Sequence, residues 1–218
     1  MPLVQMRPGL LGFERETRVK CPGIFVFSLL TLFHQATIIC RMEIRFASQL
    51  DAARLLDIYA QYIDTPITFE TELPSLSEFR ERIRDISSFY PYLVAIDGER
   101  VLGYAYAHRC FERSAYRFDA ETTIYLDSQA RHTGVGIELY SRLLELMKKM
   151  NIVNAYALVT EPNKASIYFH QKLGFKPFAT FYEAGIKCGK WISVIWLNRV
   201  LNEKKEDQPE LISVHSIV

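Results

Sequence analysis

This sequence has no excess of charge of either sign. Its 218 residues include 26 lysines and arginines against 25 aspartates and glutamates, which leaves a formal net charge of +1. Proteins that bind nucleic acids through phosphate contacts need a basic surface, so this composition argues against that class. We expect a protein without a nucleic-acid partner.

Cysteine is scarce as well. The four cysteines, Cys21, Cys40, Cys110 and Cys188, are scattered and form neither a Cys-x-x-Cys pair nor a Cys/His pattern with the spacing of metal ligands. Disulfide frameworks and zinc sites depend on such patterns. The sequence therefore predicts a protein of the reducing cytoplasm that holds no metal.

Long apolar runs are few, and the clearest covers residues 23–40 (GIFVFSLLTLFHQATIIC). One interpretation is an uncleaved signal or membrane anchor. However, a bilayer span takes about 20 mostly apolar residues, and this run contains His34 and Gln35. No small-x-small cleavage site follows it. We favour another interpretation, in which Met42 is the true start and residues 1–41 extend the gene model, and we do not expect membrane association.

The rest of the chain divides into one domain and a tail. Apolar residues make up 49% of the sequence and charged residues 23%, which suffices for a sizeable core. Residues 42–201 form the predicted domain, because predicted helices and strands follow one another there without a break. Residues 202–218 open with the charged run Glu203-Lys-Lys-Glu-Asp207, and we expect a solvated polar tail.

Hydrophobic periodicity predicts the elements of the domain. Ser48 and Ser75 each have an acidic residue three positions on, as in the capping boxes that begin helices. The predicted strands are 43–46, 92–96, 101–106, 121–126, 153–159, 175–182 and 191–197. One helix is expected to bury Ile137, Tyr140, Leu144 and Met147, and another covers 163–173 with Gly174 as its cap. This order predicts an α/β fold with a mostly antiparallel central sheet flanked by helices.

A glycine-rich loop between a predicted strand and a predicted helix carries the clearest chemical pattern, Arg131-x-x-Gly134-x-Gly136. A helix N terminus presents unpaired N–H groups and the positive end of the helix dipole, so it binds phosphates. Glycines let the backbone approach a pyrophosphate, and Arg131 adds a charge that can bind phosphate oxygens. The spacing alone leaves an alternative open, in which the glycines only shape the turn.

Together with a second segment, this loop resembles the acetyl-CoA loop of the GNAT superfamily of N-acetyltransferases. The second segment is Asn163-Lys-Ala-Ser166-Ile-Tyr168-Phe-His170-Gln-Lys-Leu-Gly174-Phe175, at the distance expected in that family. The resemblance implies the GNAT fold and acetyl-CoA as co-substrate, with the strand before the loop pairing its backbone with the pantetheine arm. The residues implied in this binding are Ile124, Tyr125, Leu126, Arg131, His132, Thr133, Gly134, Val135, Gly136, Asn163 and Ser166.

A narrower resemblance covers residues 43–201. The segments 62–71 (YIDTPITFET), 116–125 (YRFDAETTIY) and 184–191 (AGIKCGKW) are similar to segments of the phosphinothricin acetyltransferases. That group includes acetyltransferases for methionine sulfone and methionine sulfoximine. The resemblance implies a homodimer that acetylates the α-amino group of a small amino-acid-like substrate.

Two residues are implied in proton transfer. Glu121 stands where this group keeps its proposed general base, which takes a proton from the substrate amine before the amine attacks the thioester. Its alternative is a solvent-facing strand residue. His170 stands where many GNAT enzymes have a tyrosine that acts as general acid, and the phosphinothricin branch also has histidine there. Whether His170 donates a proton or is only a polar residue beneath the cofactor stays open.

The amine substrate is expected to meet Phe69, Arg113, Tyr116 and Arg117. Arg117, and less directly Arg113, can bind a substrate carboxylate through two guanidinium nitrogens, and the two aromatic rings would form an apolar wall. Some relatives carry a further basic residue where this sequence has Phe111, so phosphinothricin itself need not be the natural substrate. Because no cysteine is placed to form an acetyl-enzyme, we expect direct transfer in a ternary complex.

Two other functions stay open at this stage. A regulatory module could bind acetyl-CoA without turnover, but it would need the loop and not the base, so the presence of Glu121 and Arg117 argues against it. An acetyltransferase for protein N termini would keep the chemistry and change the substrate. An open peptide groove beside Glu121 would favour that function, and a closed pocket would favour a small amine.

Overall fold

The computed structural model describes residues 42–217. The apolar run at 23–40 and the proposed gene-model extension 1–41 lie outside the described residues. Within the described part of the chain, no helix is both long and apolar enough to cross a membrane.

The described strands form one seven-stranded sheet in the order β1-β2-β3-β4-β5-β7-β6. Every neighbouring pair is antiparallel except β4–β5, which is parallel. This confirms the predicted α/β fold with its mostly antiparallel sheet. The strands are β1 (Glu43–Phe46), β2 (Tyr92–Asp97), β3 (Arg100–Arg109), β4 (Asp119–Leu126), β5 (Asn154–Thr160), β6 (Lys176–Lys187) and β7 (Lys190–Val200).

Four α-helices accompany the sheet in residues 42–217, and both predicted capping boxes are present. Ser75 accepts a hydrogen bond from the Glu78 N–H, and the Glu78 carboxylate accepts from the Ser75 N–H. Ser48 and Asp51 form the same box on a short 3-10 turn that leads into the first helix. The helices are α1 (Ala52–Ile63), α2 (Leu76–Ser87), α3 (Val135–Lys149) and α4 (Lys164–Lys172).

The sheet separates two apolar cores. Alternate residues of a strand point to opposite faces, and β2 shows this directly: Leu93 and Ala95 pack into the core that contains α3, whereas Tyr92 and Val94 pack into the core that contains α1 and α2. The parallel pair β4–β5 lies in the middle of the sheet, so both cores border on it.

Helix α3 differs from its prediction at one position. Its buried stripe runs through Leu139, Tyr140, Leu143 and Met147, whereas Ile137 is 40% exposed. Ile137 lies at the margin of that stripe, in the first helical turn, so the helix turns it toward solvent. The other three residues predicted for this face are buried as expected.

The C-terminal segment was expected to be a solvated tail, and the structure contradicts this for its second half only. Residues 203–207 are exposed, whereas Val214 is 1% exposed and belongs to the core around α3. The Ile212 N–H donates to the Met150 carbonyl at 3.1 Å, and the Val214 N–H donates to the Phe89 carbonyl at 3.0 Å. Apolar residues follow the charged run, and Leu211, Val214 and Ile217 pack on the domain.

Candidate active site

Strands β4 and β5 separate partway along their length. Their parallel ladder has three registered pairs, the last of which is Glu121 with Tyr156. β4 continues to Leu126 on the β3 side, and β5 continues to Thr160 on the β7 side, without further pairing between them. The edge of β4 that faces β5 is therefore open beyond Glu121, and its backbone groups are available to a ligand. Glu121 lies at the apex of this cleft.

A cavity of about 270 Å³ occupies the cleft. It is lined from one side by β4, from the other by the end of β5, and at its margins by α4 and the loop before α2. Seven of the residues predicted from the sequence to bind or react line it, namely Phe69, Glu121, Ile124, Tyr125, Asn163, Ser166 and His170.

The glycine loop presents a row of free donors. Within residues 42–217, none of the backbone N–H groups from His132 to Gly136 donates to a backbone or side-chain acceptor. His132 (φ +63°) and Gly134 (φ +93°) have left-handed backbone conformations, which turn successive N–H groups outward. Such a row at a helix N terminus binds phosphate groups, so the loop fits the pyrophosphate of acetyl-CoA.

The two glycines of the loop have different physical roles. Gly134 needs its positive φ, and a Cβ there would meet nothing within 4 Å in the protein itself. At Gly136, a Cβ would lie 3.1 Å from the Leu126 side chain and 3.3 Å from the Phe169 ring. Gly136 therefore permits close packing of α3 on β4 and α4. The explanation drawn from the sequence was that both glycines let a pyrophosphate approach the backbone. That explanation stays a prediction for Gly134, whereas packing accounts for Gly136.

Residues at the end of β4 are only partly available to a ligand. The Tyr62 hydroxyl donates to the Leu126 carbonyl at 2.5 Å and accepts from the Leu126 N–H at 3.3 Å. Leu126 therefore lacks the free backbone groups that the predicted pantetheine contact requires. The Tyr125 carbonyl faces Gly103 on β3, so of these three residues Ile124 is the one whose backbone groups remain on the open edge. The Arg131 guanidinium stacks 4.9 Å from the centre of the Tyr62 ring, beside this end of the cleft.

Glu121 has a histidine beside it that the sequence did not single out. His108 is its registered partner on β3, and its Nε2 lies 3.9 Å from the Glu121 Oε2. Burial raises the pKa of the Glu121 carboxyl above its usual value, and the neighbouring His108 charge opposes that shift. The raised pKa moves this carboxylate toward the basicity that a general base needs.

His170 lines the cavity from the face of the sheet opposite to the Glu121 side chain. Its Nδ1 donates to the Ser166 carbonyl at 2.8 Å, and its Nε2 lies 3.0 Å from the Tyr140 hydroxyl. Tyr140 in turn lies 2.5 Å from the Thr122 Oγ1. Because Thr122 and Glu121 are successive residues of one strand, their side chains point to opposite faces. Burial lowers the pKa of His170 to about 4, so the ring is neutral at pH 7.

The polar residues that open α4 face the cleft. The Asn163 Oδ1 accepts a hydrogen bond from the Ser166 N–H at 3.1 Å and so caps the helix. This contact uses the oxygen of the amide and leaves its NH₂ group for a ligand. The helix thus fixes the side chain that the sequence predicts to contact acetyl-CoA.

Phe69 is held at the cavity by a long-range clamp. The buried ammonium of Lys187, on β6, donates to the carbonyl of Thr68 at 3.0 Å and also to that of Glu70. A Cβ on Gly185 would lie 3.0 Å from the Phe69 ring, so that glycine leaves room for the ring. The clamp fixes the loop before α2 and with it the apolar wall.

Three predicted substrate residues do not line the cavity. Arg117 lies 3.7 Å from the Glu210 carboxylate, and its guanidinium lies 4.5 Å from the Phe118 ring centre. Arg113 is exposed, and the ring of Tyr116 packs 4.7 Å from that of Phe111. The segment 111–117 therefore stands beside the site, and its arginines face solvent or the C-terminal segment.

The charge of Glu121 acts on the thiol of Cys110. Burial raises the pKa of its thiol to about 12, and the charge of Glu121 adds to this shift. A thiol with that pKa stays protonated at neutral pH and is a poor nucleophile. This agrees with the expectation of direct transfer.

Comparison with known proteins identifies the family of this chain. A family model described as the acetyltransferase (GNAT) domain matches residues 44–196. The chain belongs to the GNAT family. It is an acetyltransferase, and the GNAT fold predicted from its two motifs is confirmed.

Relatives of this GNAT protein confirm the narrower resemblance. It is 34% identical to a phosphinothricin N-acetyltransferase of Streptomyces coelicolor over 73% of this chain and 96% of that protein. It is 28% identical to an L-methionine sulfoximine/L-methionine sulfone acetyltransferase of Salmonella typhimurium over 74% of this chain and 96% of that protein. A crystal structure of a phosphinothricin acetyltransferase from Sinorhizobium meliloti in complex with acetyl-CoA matches with a TM-score of 0.72 and 31% identity, covering 77% of this chain and 95% of that one.

Two residues of the GNAT site escaped sequence reasoning. The pairing of His108 with Glu121 depends on the register across the irregular segment 110–118, which hydrophobic periodicity does not fix. Lys187 reaches a loop 119 residues earlier in the sequence. Its position inside a segment similar to the phosphinothricin acetyltransferases was the only available signal.

Proposed function

We propose that this GNAT acetyltransferase transfers the acetyl group of acetyl-CoA directly to the α-amino group of a small amino-acid-like substrate. The observation that carries the proposal is the position of Glu121 at the apex of the β4–β5 cleft. An acetyl thioester in the open part of the cleft would end beside this carboxylate. The printed names of the relatives, phosphinothricin and methionine sulfoximine/methionine sulfone acetyltransferases, support this substrate class.

In this proposal the backbone holds the acetyl-CoA. The free N–H groups of the loop 132–136 bind the pyrophosphate, and the open edge of β4 at Ile124 pairs with the pantetheine arm. One N–H group of that edge polarises the thioester carbonyl and stabilises the oxyanion that forms on attack. The NH₂ group of Asn163 is a further contact at the mouth of the cleft.

Glu121 acts as the general base. The amine arrives largely as an ammonium ion and must lose a proton before its nitrogen attacks the thioester carbon. A carboxylate whose pKa is raised by burial takes that proton better than an ordinary one. The C–S bond then breaks, and the CoA sulfur leaves as a thiolate that takes up a proton.

His170 is a positioning residue in this proposal. Its Nδ1 proton is bound to the Ser166 carbonyl, and its Nε2 accepts from Tyr140, so the neutral ring has no proton to give to the leaving thiolate. It fixes α4 against α3 and thereby holds the Ser166 end of the cleft.

The remaining group of the substrate is its carboxylate. Arg117 and Arg113 remain its predicted partners, although neither lines the cavity. The printed names of the relatives favour a free amino acid analogue over a protein N terminus.

We also propose a homodimer, as the family resemblance implies. β6 is an edge strand, and it and β7 expose large apolar side chains: Phe178 58%, Phe181 54%, Tyr182 80%, Ile186 60% and Trp191 60%. Ile186 and Trp191 are registered partners and so lie side by side, and exposed apolar neighbours of this kind mark interaction surfaces. Sedimentation equilibrium of the wild type and of Trp191→Glu tests this: a monomeric wild type contradicts the dimer.

A thiol-release assay tests the function. Purified protein is mixed with acetyl-CoA and single amines: methionine sulfone, methionine sulfoximine, phosphinothricin, the proteinogenic amino acids and polyamines. We expect CoA release with at least one α-amino acid analogue, a product heavier by one acetyl group, and release that is about 10²–10⁴-fold slower in Glu121→Gln. Binding of acetyl-CoA without release on any amine would favour a regulatory module, and release only with peptides would favour a protein N-terminal acetyltransferase.

A further inference from the structure

The imidazole beside Glu121 has no place in the chemistry derived so far. His108 lies on β3, directly opposite Glu121 on β4, and its Nε2 is 3.9 Å from the Glu121 Oε2. Its Nδ1 lies 3.0 Å from the Arg109 carbonyl. Because a carbonyl oxygen only accepts, Nδ1 carries a proton, and Nε2 is left as the nitrogen that faces the carboxylate.

The reaction itself requires a second proton acceptor. Acetylation of an ammonium ion breaks two N–H bonds, and one of the two protons ends on the CoA sulfur. The other must reach the solvent before Glu121 can act again. Glu121 is 24% exposed and His108 is 34% exposed, so the imidazole is the more exposed of the two groups.

The other titratable groups around Glu121 are not proton acceptors. In the described chain, Tyr106, Cys110 and Tyr140 are groups whose pKa responds to the charge of Glu121. Burial raises the pKa of each of them above its usual value, so they keep their protons and stay neutral. The imidazole of His108, by contrast, is a base, and its Nε2 faces the carboxylate.

We propose that His108 and Glu121 form one proton-accepting pair, in which Glu121 takes the proton from the substrate amine and His108 passes it to the solvent. The proposal rests on the proposed role of Glu121 as general base. A proton on Nε2 places an imidazolium 3.9 Å from the Glu121 Oε2, an ion-pair distance. Protonation of one group therefore changes the proton affinity of the other.

The sign of the pH effect follows from the pair. The charge of His108 lowers the pKa of Glu121 against the rise caused by burial. In His108→Gln only the burial remains, so the carboxyl keeps its proton to a higher pH. The acid limb of kcat/KM for the amine should therefore move up by about 1 pH unit, with the KM for acetyl-CoA unchanged.

Two readouts test the pair. The first is the pH profile of kcat/KM in wild type, in His108→Gln and in the control His215→Gln. The His215 ring contacts the Ser87 carbonyl at 2.7 Å and does not line the cavity. The same His108 substitution in a Glu121→Gln background should leave the profile unmoved. The second is the carbon-13 shift of the Glu121 carboxyl, assigned by its loss in Glu121→Gln, titrated without substrates.

Expected outcomes are an upward shift of the acid limb and of the carboxyl midpoint in His108→Gln, and neither in His215→Gln. An unchanged carboxyl midpoint, or an unchanged acid limb in an active enzyme, overturns the proposal. If no amine is acetylated at all, the proposed function fails while the carboxyl titration still decides whether protonation of one group changes the proton affinity of the other.

Discussion

In the proposed function, the two substrates meet different kinds of surface. The acetyl-CoA side is built from backbone: the open edge of β4 and the free N–H groups of the loop 132–136. The amine side is built from side chains on connecting segments, such as Phe69, which a lysine 119 residues away from Thr68 holds in place. Backbone groups are present whatever the side chain, whereas side chains on loops vary readily in evolution. In this proposal the fold fixes the cofactor site, and the particular sequence fixes the amine site.

If this comparison is right, Glu121 is the point where both sides meet, and its loss should have the largest effect. Glu121→Gln keeps the size of the side chain and removes its basicity. We expect kcat to fall by about 10²–10⁴-fold with acetyl-CoA affinity nearly unchanged, and the loss to shrink as pH rises and more free amine is present. The remote Glu203→Gln is the control. Near-wild-type kcat in Glu121→Gln, with chemistry rate-limiting, would place the base elsewhere.

The acetyl-CoA side alone should respond to Gly134→Val. A Cβ meets no protein atom there, but it strains the left-handed backbone and stands where the pyrophosphate approaches. We expect the KM for acetyl-CoA to rise by about tenfold or more, with little change in the KM for the amine. Gly98→Val is a matched control, because Gly98 also has a positive φ and an open surrounding but lies in the β2–β3 turn. Equal KM values in both variants would refute the phosphate role.

The amine side alone should respond to Lys187→Met. This change removes two hydrogen bonds from a charged donor to the loop that carries Phe69. We expect the KM for the amine to rise by roughly tenfold and the KM for acetyl-CoA to stay the same, because about 1.5 kcal/mol of loop ordering is lost. Lys190→Met, at the exposed start of β7, controls for charge. A rise in both KM values would show that the two sides are not separable.

His170 should affect turnover least and stability most. Its folded-state pKa is about 4 against an ordinary 6.5, so the unfolded chain binds more protons between those values. The contribution of the neutral His170 to the free energy of unfolding is then fully present above about pH 6.5 and is lost as the pH falls toward 4. That loss is on the order of 3 kcal/mol. Urea unfolding at pH 7 and pH 5 should show a smaller pH difference in His170→Gln than in wild type. The same difference in both would mean that His170 is not held neutral by burial.

What the sequence predicted follows the same division. The helix starts at Ser48 and Ser75 and the loop Arg131-x-x-Gly134-x-Gly136 are local patterns, in which neighbouring residues satisfy one another, so they were found correctly. Arg117 stays a predicted substrate residue, but it does not line the cavity, and its contact with the distant Glu210 was not visible in the sequence. Patterns among neighbouring residues could be predicted from the sequence, whereas side-chain contacts between distant residues could not.

Strand ends and registers were the other weak point. The strand predicted at 175–182 runs to Lys187, because Cys188 and Gly189 both take left-handed conformations and close a two-residue hairpin turn. A cysteine in that conformation carries little signal in the sequence. The register that sets His108 opposite Glu121 was hidden for a related reason, since the segment between β3 and β4 has no regular period.

The central claim is that acetyl-CoA lies in the cleft between β4 and β5, on backbone groups that are free without it. Hydrogen–deuterium exchange with saturating acetyl-CoA tests this directly. Peptides that cover 122–126 and 131–136 should exchange more slowly with acetyl-CoA, because their N–H groups gain acceptors, whereas a peptide across the β2–β3 turn should not change. Unchanged exchange in both cleft peptides, with a melting temperature that acetyl-CoA does not move, would contradict the account.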